Sequence, residues 1–352
     1  NYFEQWNYGF NLAWELDFWG RFRRAVLSAD ATLDASVFNY DDVLVTLLGD
    51  VANSYVTIRT TEQRIRLLQN VVNIQQDVYT FIDQRLAAGF RGVTDLDKAQ
   101  AESDLKQSMA QIAQLEINLR QAQNALCVLL GSPSVDLGPR LAAAPKTSIP
   151  IPPDYAVVGI PADLLRRRPD VRRAERTAAA QAEQIGIAVA TLYPAFTISG
   201  SLGWQNAQLS ELVRPQSFTG AINPTFQWNV LNYGRLLNNI RFQDATFNQL
   251  VANYQQTVVL ASAEVENGIV TFLKAQRRAE LLGESVDAAY RALAVVVAQY
   301  EAGLGGVDFN RYAVILQSLV NQQDLWAQSQ GQIGQGLIQV YRALGGGWQI
   351  RR

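Results

Sequence analysis

Apolar and polar side chains alternate along the beginning of the chain. In the stretch WNYGFNLAWELDFWGR, residues 6–21, every second side chain up to residue 18 is aromatic or aliphatic: Trp6, Tyr8, Phe10, Leu12, Trp14, Leu16 and Phe18. A period of two places these side chains on one face of a β-strand and the small or polar ones on the other. The alternation stops at Gly20-Arg21. The pattern therefore predicts a strand over residues 1–18 that leads almost directly into a helix.

Two long segments carry the apolar spacing of helices instead. All eleven prolines lie between Pro133 and Pro224, so residues 19–131 and 233–344 contain no helix breaker of that kind. A helix over about residues 19–88 would extend roughly 105 Å at 1.5 Å per residue. Both segments are long enough to predict helical hairpins.

The apolar positions in these segments indicate packing on two sides. Heptad a and d spacing is kept from Val37 to Leu86 and from Val251 to Tyr300. A second stripe runs along another face of the first helix: Leu67, Val71, Ile74, Val78 and Phe81. Two stripes are expected when helices form the wall of a hollow cylinder.

The sequence repeats itself with an offset of 214 residues. The repeat superposes Trp14 on Trp228, Gly20 on Gly234, Tyr40 on Tyr254, Gly89 on Gly303 and Gly131 on Gly345. Equal element lengths in both halves follow from this register. Each unit is predicted to be a strand, a long helix, a tight glycine-containing turn at 87–95 or 301–309, and a return helix at 94–131 or 308–344.

The segments of the predicted architecture can be assigned along the chain. They are a membrane strand of repeat 1 (1–18), its helical hairpin (19–131), a proline-rich linker (132–161), a helix (162–192), a strand pair (193–231), the hairpin of repeat 2 (232–345) and a C-terminal tail (346–352). Repeat 2 has a helix and a strand before its hairpin strand. The first repeat is therefore expected to have both upstream of Asn1, together with a signal peptide, which gives four strands in a complete chain. Whether that upstream segment carries a lipidated cysteine is left open.

Composition excludes several classes of chemistry. Histidine is absent and Cys127, within an apolar helical run, is the single cysteine, which excludes Ser-His-Asp and Cys-His catalysis, histidine-ligated zinc and an internal disulfide. We expect no catalytic, cofactor-binding or metal-binding residues. The net charge of −2 gives no reason to expect nucleic acid, and the basic run at 166–176 is interrupted by Asp170 and Glu175 and has no aromatic platform.

The strands are predicted to lie in a membrane. Residues 185–204 carry no charge, but Pro194, Gly200, Gly203 and the alternation favour a strand over a transmembrane helix. Tryptophans are concentrated in or beside the strands, as in the interfacial girdles of membrane barrels: Trp6, Trp14, Trp19, Trp204 and Trp228. The edge of a soluble sheet is the alternative. Strands in lipid must close into a barrel, and three strands are too few, so several chains are predicted to share one.

Residues 160–204 resemble the central signature of the outer-membrane efflux protein family, the TolC-like channels, and within it the subgroup typified by OprM and NodT. The matching residues are Pro161, Asp163-Leu164-Leu165, Arg167-Arg168-Pro169-Asp170-Val171, Ala174-Glu175, Ile185-Gly186 and Tyr193-Pro194. Both predicted hairpins fit the same family, so the resemblance covers essentially the whole chain.

The resemblance implies a fold and a set of partners. The fold is mainly α with membrane β: a homotrimer in which a β-barrel of about twelve strands in the outer membrane of a Gram-negative-type cell continues into a periplasmic α-barrel. The function is that of a passive exit duct for drugs or other small molecules in a tripartite efflux pump, without enzymatic activity or cofactor. The implied partners are outer-membrane lipid, a periplasmic adaptor and an inner-membrane transporter.

The hairpin tips resemble the turns at which the family docks its adaptor. The residues concerned are Gly89, Phe90, Gly92 and Val93 in the first tip and Gly303, Leu304, Gly306 and Val307 in the second. The glycines are needed for the turn in any case. Phe90 and Leu304 point more strongly to docking, because a solvent-facing tip gains nothing from an apolar side chain.

The family closes its periplasmic end with a ring of side chains just past the second tip, where this chain has Asp308, Arg311 and Tyr312. Three copies of Asp308 would form a cation-preferring constriction, whereas a helix N-cap is an equally good interpretation. The side chains expected to line the lumen of the barrel are polar: Gln5, Asn7, Asn11, Glu15, Asp17, Thr197, Ser199, Ser201, Gln227 and Asn229.

Two other classes of protein fit the sequence less well. A trimeric, membrane-anchored coiled-coil stalk or adhesin would also combine strands with heptads, but such stalks run as one parallel rope, whereas this chain has two antiparallel hairpins. An outer-membrane lipase would typically need histidine.

Overall fold

The computed structural model describes residues 4–89, 93–141, 149–150, 152–153, 167–302 and 309–347. Its internal contacts divide the chain into two units, each built from two separate stretches of sequence. The sheet unit comprises Asn1–Tyr40 and Pro169–Val259, and the hairpin unit comprises Asp41–Arg168 and Leu260–Arg352.

The described residues form a mainly helical protein with one small sheet, as the sequence predicts. The strands are β1 (Trp6–Leu16), β2 (Ala195–Asn206) and β3 (Phe218–Gln227). The helices are α1 (Arg21–Ala87), α2 (Asp95–Leu129), the single turn α3 (Gly138–Leu141), α4 (Pro169–Ala190), α5 (Tyr233–Glu301) and α6 (Phe309–Ala343). Short 3₁₀ turns occur at Leu209–Glu211, Pro215–Ser217 and Val230–Asn232.

The secondary structure repeats with the offset read from the sequence. An offset of 214 residues carries the bounds of α2 onto those of α6, residue for residue. It also carries the last residue of α1 onto the last residue of α5. The glycines after the two return helices, Gly131 and Gly345, adopt the left-handed conformation with φ of 64° and 67°, which lets the chain leave each helix.

The sheet unit places one helix between two others. α4 runs antiparallel to α1, because Ser28 accepts a hydrogen bond from Gln184 and donates one to the carbonyl oxygen of Ala180, while Arg24 pairs with Glu183 at 3.2 Å. On its other side, α4 reaches α5 through the side-chain amide of Gln181, 2.7 Å from Gln243. α4 thus lies between α1 and α5, just as β2 lies between β1 and β3.

The arginines of the predicted basic run contact α1. Arg172 lies over the ring of Phe38, Arg173 donates a 2.7 Å hydrogen bond to Asn39, and Arg176 lies 4.0 Å from Asp34. These contacts agree with a helix whose arginines pair along the surface. The predicted helix at 162–192 begins at Pro169 in the structure, a position where the missing N–H costs nothing; residues 162–166 lie outside the described part of the chain.

The uncharged segment 185–204 divides between the end of α4 and the strand β2, which confirms the strand prediction. Within the residues that the structure describes, no helix combines the length and apolarity required to cross a membrane.

In the hairpin unit, the heptad stripes form most of the core. From Ile58 to Ile82 on α1 and from Ala261 to Tyr300 on α5, the predicted positions are buried or half-buried, and they pack with residues of α2 and α6. The start of the first stripe departs from the prediction, because Leu47 is exposed and Val45 is buried in its place. A straight α-helix drifts by about 20° per heptad from a 3.5-residue repeat, which accounts for a shift of the packed face over several heptads.

Candidate functional site

The three-stranded sheet has one apolar and one polar face. β1 pairs with β2 and β2 with β3, both antiparallel, so that Tyr8 lies opposite Trp204 and Trp204 opposite Phe218. The register puts all even-numbered side chains of the three strands on one face. This face carries Tyr8, Phe10, Leu12, Trp14, Ile198, Leu202, Trp204, Phe218, Ile222 and Phe226.

The apolar face is exposed rather than packed. Phe10 is 72% exposed and Ile222 is 77% exposed. A sheet in water buries its apolar face against another layer, because each exposed Å² of apolar surface costs about 25 cal/mol. An uncovered apolar face of this kind fits contact with a nonaqueous surrounding.

The opposite face carries small polar side chains in the same register. This face carries the residues predicted for a hydrated surface: Asn7, Asn11, Thr197, Ser199 and Ser201. The hydroxyl of Ser199 donates to the carbonyl of Asn223, and that of Thr225 to the carbonyl of Thr197, both at 3.2 Å. The face can contact water without an unsatisfied polar group.

Two of the predicted lumen residues have local partners. Glu15 pairs with Arg21 at 2.9 Å. Asp17 accepts hydrogen bonds from the backbone N–H groups of Phe22 and Arg23, both at 3.0 Å. Asp17 therefore caps the first turn of α1, which explains how a strand can continue into a helix after only four residues.

Aromatic side chains are concentrated towards the two ends of the strands. One group contains Trp6, Tyr8, Trp204 and Phe218; the other contains Phe18, Trp19, Tyr193, Phe196, Phe226 and Trp228. Trp204 and Phe196 are eight positions apart on β2, about 26 Å along a strand at 3.3 Å per residue. The apolar band between the two aromatic girdles of a membrane barrel is about 25 Å tall, which a tilted strand crosses in roughly 30–35 Å, so the two groups lie near the edges of such a band. Trp14 lies between the two groups, opposite Ile198.

Two tryptophans of the second group also bind the backbone between α4 and β2. The indole N–H of Trp19 donates to the carbonyl of Pro194 at 2.9 Å, and that of Trp228 donates to the carbonyl of Leu192 at 3.0 Å. Trp19 also stacks on Tyr193 with ring centroids 4.4 Å apart. These contacts fix the ends of all three strands at one level. Their interfacial role remains a prediction.

The sheet is open at both sides among the described residues. Its strand order is β1-β2-β3, so β1 and β3 each keep one edge without a ladder partner in the described chain. In an apolar surrounding such an edge costs several kcal/mol per unpaired backbone group. A sheet in such a surrounding would therefore need further strands at both edges.

Of the predicted docking residues, the structure describes Gly89 and Val93. Gly89 follows α1 with a φ of 72°, and a Cβ there would meet nothing within 4 Å. Thr94 and Asp97 then form a capping box that starts α2. Lys98 pairs with Asp83 across the hairpin at 2.6 Å, and this hydrogen bond and charge contact raise the pKa of Lys98. Phe90, Gly92, Gly303, Leu304, Gly306 and Val307 lie outside the described residues.

Of the predicted constriction residues, Asp308 also lies outside the described residues, and Arg311 is exposed. Tyr312 is 2% exposed and its ring packs with those of Tyr300 and Phe309. The expectation that Tyr312 faces a lumen is therefore corrected. On the helix α6, its position belongs to the stripe that packs against α1 and α5.

The structure also reveals a buried polar cluster that sequence reasoning did not identify. Gln75, Asp104 and Tyr312 line one small cavity among α1, α2 and α6. Its only signal in the sequence is the amide of Gln75 at a heptad position where an apolar residue is expected. Among the described residues no group of three or more His, Cys, Asp or Glu could hold a metal ion.

Comparisons with known proteins agree with this geometry. The model of the family described as outer membrane efflux protein matches residues 1–132 and 160–346. Nodulation protein T of Rhizobium leguminosarum bv. viciae is 30% identical over 298 residues, which cover 83% of this chain and 60% of that protein. The pyoverdine export outer membrane protein OpmQ of Pseudomonas putida is 29% identical over 344 residues, 96% of this chain and 70% of that protein.

Among solved structures, the outer-membrane channel OprN superposes with a TM-score of 0.88 at 27% identity, covering 99% of this chain and 76% of that one. The chain spans less than two thirds of the length of nodulation protein T, so the similarity concerns the part of that protein that is aligned.

Proposed function

The chain belongs to the outer membrane efflux protein family, and on this premise we propose that three copies of it, in the outer membrane, form the passive exit duct of a tripartite pump for small molecules. The apolar face of the sheet would face lipid, and the polar face would line a water-filled lumen. The open edges of β1 and β3 would join strands of the same barrel.

The observation that carries this proposal is the exposed apolar face of the sheet, with a polar face behind it. A membrane-anchored stalk needs the apolar face but not the polar one, because a stalk has no lumen to hydrate. The apolar face alone would fit either a duct or a stalk. The polar side chains of Asn11, Ser199 and Ser201 on the opposite face favour the duct.

Two variants of the full-length protein in lipid nanodiscs, each with one added cysteine, test this assignment of faces. Ser199→Cys lies on the polar face and Ile222→Cys on the apolar face, and the native Cys127 is fully buried. We expect a charged, water-soluble thiol reagent to modify Ser199→Cys and to leave Ile222→Cys unmodified. Equal modification of both variants, or the reverse order, would contradict the proposed orientation.

A liposome-swelling assay tests the lumen itself. Vesicles that contain the protein are expected to swell in an iso-osmotic solution of a small sugar, at a rate that falls when a bulky reagent is attached at Ser199→Cys. Vesicles with labelled Ile222→Cys serve as the control. A protein that inserts but causes no swelling would favour the stalk.

We further propose that the hairpin tips dock a periplasmic adaptor of an inner-membrane transporter, with Phe90 and Leu304 as the apolar contacts. The family supports this, as does the open space around Gly89 at the end of α1. Phe90→Asp and Leu304→Asp are expected to abolish efflux from cells while leaving the amount of assembled protein unchanged. Efflux at the wild-type rate would count against docking at the tips.

For the periplasmic constriction we retain Asp308 and Arg311 as the proposed residues. Three copies of Asp308 would favour cations. Single-channel recordings of Asp308→Ala should then show a higher conductance and a weaker preference for cations. Unaltered recordings would indicate that Asp308 serves as an N-cap.

A further inference from the structure

Three helices of the hairpin unit contribute polar side chains to a small cavity. Gln75 comes from α1, Asp104 from α2, and Tyr312 and Gln317 from α6. Gln317 is exposed and donates a 3.3 Å hydrogen bond to Asn321 on its own helix, which leaves Gln75, Asp104 and Tyr312 as the groups available to a ligand of the cavity. The cavity has a volume of about 10 Å³, which is enough for the centre of one water molecule. The remaining wall is largely apolar and includes Val78, Ala101, Phe309 and Leu316.

Two of these side chains bury a polar atom that finds no partner. The oxygen Oε1 of Gln75 and the hydroxyl of Tyr312 make no hydrogen bond to any described residue. Gln75 is 6% exposed and Tyr312 is 2% exposed, so bulk water does not satisfy these atoms either. Buried polar atoms without a protein partner are usually bridged by an ordered water molecule.

The donors and acceptors around the cavity match one water molecule. The hydroxyl of Tyr312 is a donor, whereas Oε1 of Gln75 and the carboxylate of Asp104 are acceptors. We propose that a single water molecule occupies this cavity, accepting a hydrogen bond from Tyr312 and donating one each to Gln75 and Asp104. It would join α1, α2 and α6 near the ends of the two hairpins.

The charges around the cavity keep Tyr312 in the donor form. Burial raises the pKa of Tyr312 far above its ordinary value of 10.0, and the acidic groups of Asp104 and Asp77 raise it further. Tyr300 of α5, stacked on Tyr312, acts in the same direction. Burial also raises the pKa of Asp104 above 3.8. The phenol is therefore neutral throughout the physiological range.

The internal repeat indicates that this cluster is not required by the helix packing. The residues that correspond to Gln75 and Asp104 in the other repeat are Ala289 and Ser318, and the residue that corresponds to Tyr312 is Lys98. Lys98 pairs with Asp83 across its own hairpin. The same secondary structure is thus built once with the cluster and once without it.

A high-resolution map and a double-mutant cycle on the full-length protein in nanodiscs test the proposal. A map that resolves water should show one peak within hydrogen-bond distance of all three side chains. Gln75→Leu and Tyr312→Phe should each lower the melting temperature, because each removes a hydrogen-bond partner of the water. The double variant should melt no lower than the less stable single variant, because the first change has already displaced the water. Gln75→Leu with Tyr300→Phe is the matched control and should be additive, since Tyr300 does not line the cavity.

Each alternative result overturns the proposal. An empty cavity in the map would do so, as would additive effects of Gln75→Leu and Tyr312→Phe. A melting temperature that falls when choline replaces sodium and potassium, in the wild type but not in Tyr312→Phe, would assign the cavity to a monovalent cation instead of water. None of these outcomes depends on whether the protein is an exit duct.

Discussion

Gly9 of β1 lies directly opposite Gly203 of β2, and neither position has room for a side chain. A Cβ on Gly9 would come within 2.7 Å of the Cα of Gly203, and one on Gly203 within 2.9 Å of the Cα of Gly9. The carbonyl oxygens of Leu202 and Tyr8 would be closer still. The close approach of the two backbones explains why both strands have glycine at this level.

We predict that Gly203→Ala destabilises the sheet by about 1–3 kcal/mol, because the added methyl group contacts backbone atoms that can move only with the strand. The melting temperature of the protein in nanodiscs should fall, and the fraction that resists dissociation by detergent should fall with it. Gly234→Ala is the matched control. A Cβ at Gly234 meets nothing within 4 Å and lies at the start of α5, so its stability should be unchanged or slightly higher. Equal losses in the two variants would refute the close-approach argument.

A second prediction concerns the ion pair between α1 and α6. The guanidinium of Arg64 binds Asp324 with both arms, at 2.5 and 3.1 Å, and the two side chains are only partly exposed. Arg64→Ala should lower the free energy of unfolding by about 1 kcal/mol, which is modest because solvent screens part of the attraction. The melting temperature of the variant measures this loss. Arg277→Ala breaks the exposed pair with Glu280, and it should leave the unfolding temperature unchanged.

A third prediction follows from the pKa of Asp104. Burial raises the pKa of this carboxyl group above its ordinary value of 3.8, so the folded state holds its proton more tightly than the unfolded state does. The contribution of Asp104 to stability is therefore most favourable at acidic pH and is lost as the pH rises from 3.8 through the raised pKa. Asp104→Asn should be more stable than the wild type at neutral pH, and the difference should vanish at acidic pH. Urea unfolding at a series of pH values measures this difference. A constant difference at every pH would contradict the assignment.

A fourth prediction concerns the indole N–H groups below the strands. Trp19→Phe keeps an aromatic ring against Tyr193 but loses the hydrogen bond to Pro194, which should cost about 0.5–1.5 kcal/mol. Trp228→Phe should behave similarly, because it loses the bond to Leu192. Trp14→Phe provides the comparison, since the indole of Trp14 makes no hydrogen bond within the described chain. Thermal melts that rank Trp14→Phe as the most damaging would show that ring size, rather than hydrogen bonding, is decisive.

Much of the fold could be predicted because the chain contains an internal repeat. The offset between the two halves predicts equal lengths for α2 and α6, and the alternation around Trp14 and Trp228 identifies the strands. Heptad spacing also gave the correct packed face along most of α1 and α5. It failed near Leu47, because a straight helix drifts away from a 3.5-residue repeat and turns another face towards its neighbours.

The candidate site was predicted less completely. The two faces of the sheet follow from alternation alone, but the hydrogen bonds of Trp19 and Trp228 depend on where the carbonyls of Pro194 and Leu192 come to lie. Tyr312 was assigned to the lumen from its position after the second tip, whereas the phase of α6 turns it into the core. The distance of a residue from a turn does not specify which face of the helix carries it.

The open edges of β1 and β3 bear on how the protein is made. If three copies share one barrel, as proposed, a copy outside that barrel exposes the unpaired backbone groups at the edges of its sheet beside an apolar face. This combination promotes strand-to-strand aggregation. Assembly of the copies would then have to be faster than this side reaction, or each copy would have to be bound by a chaperone until it assembles.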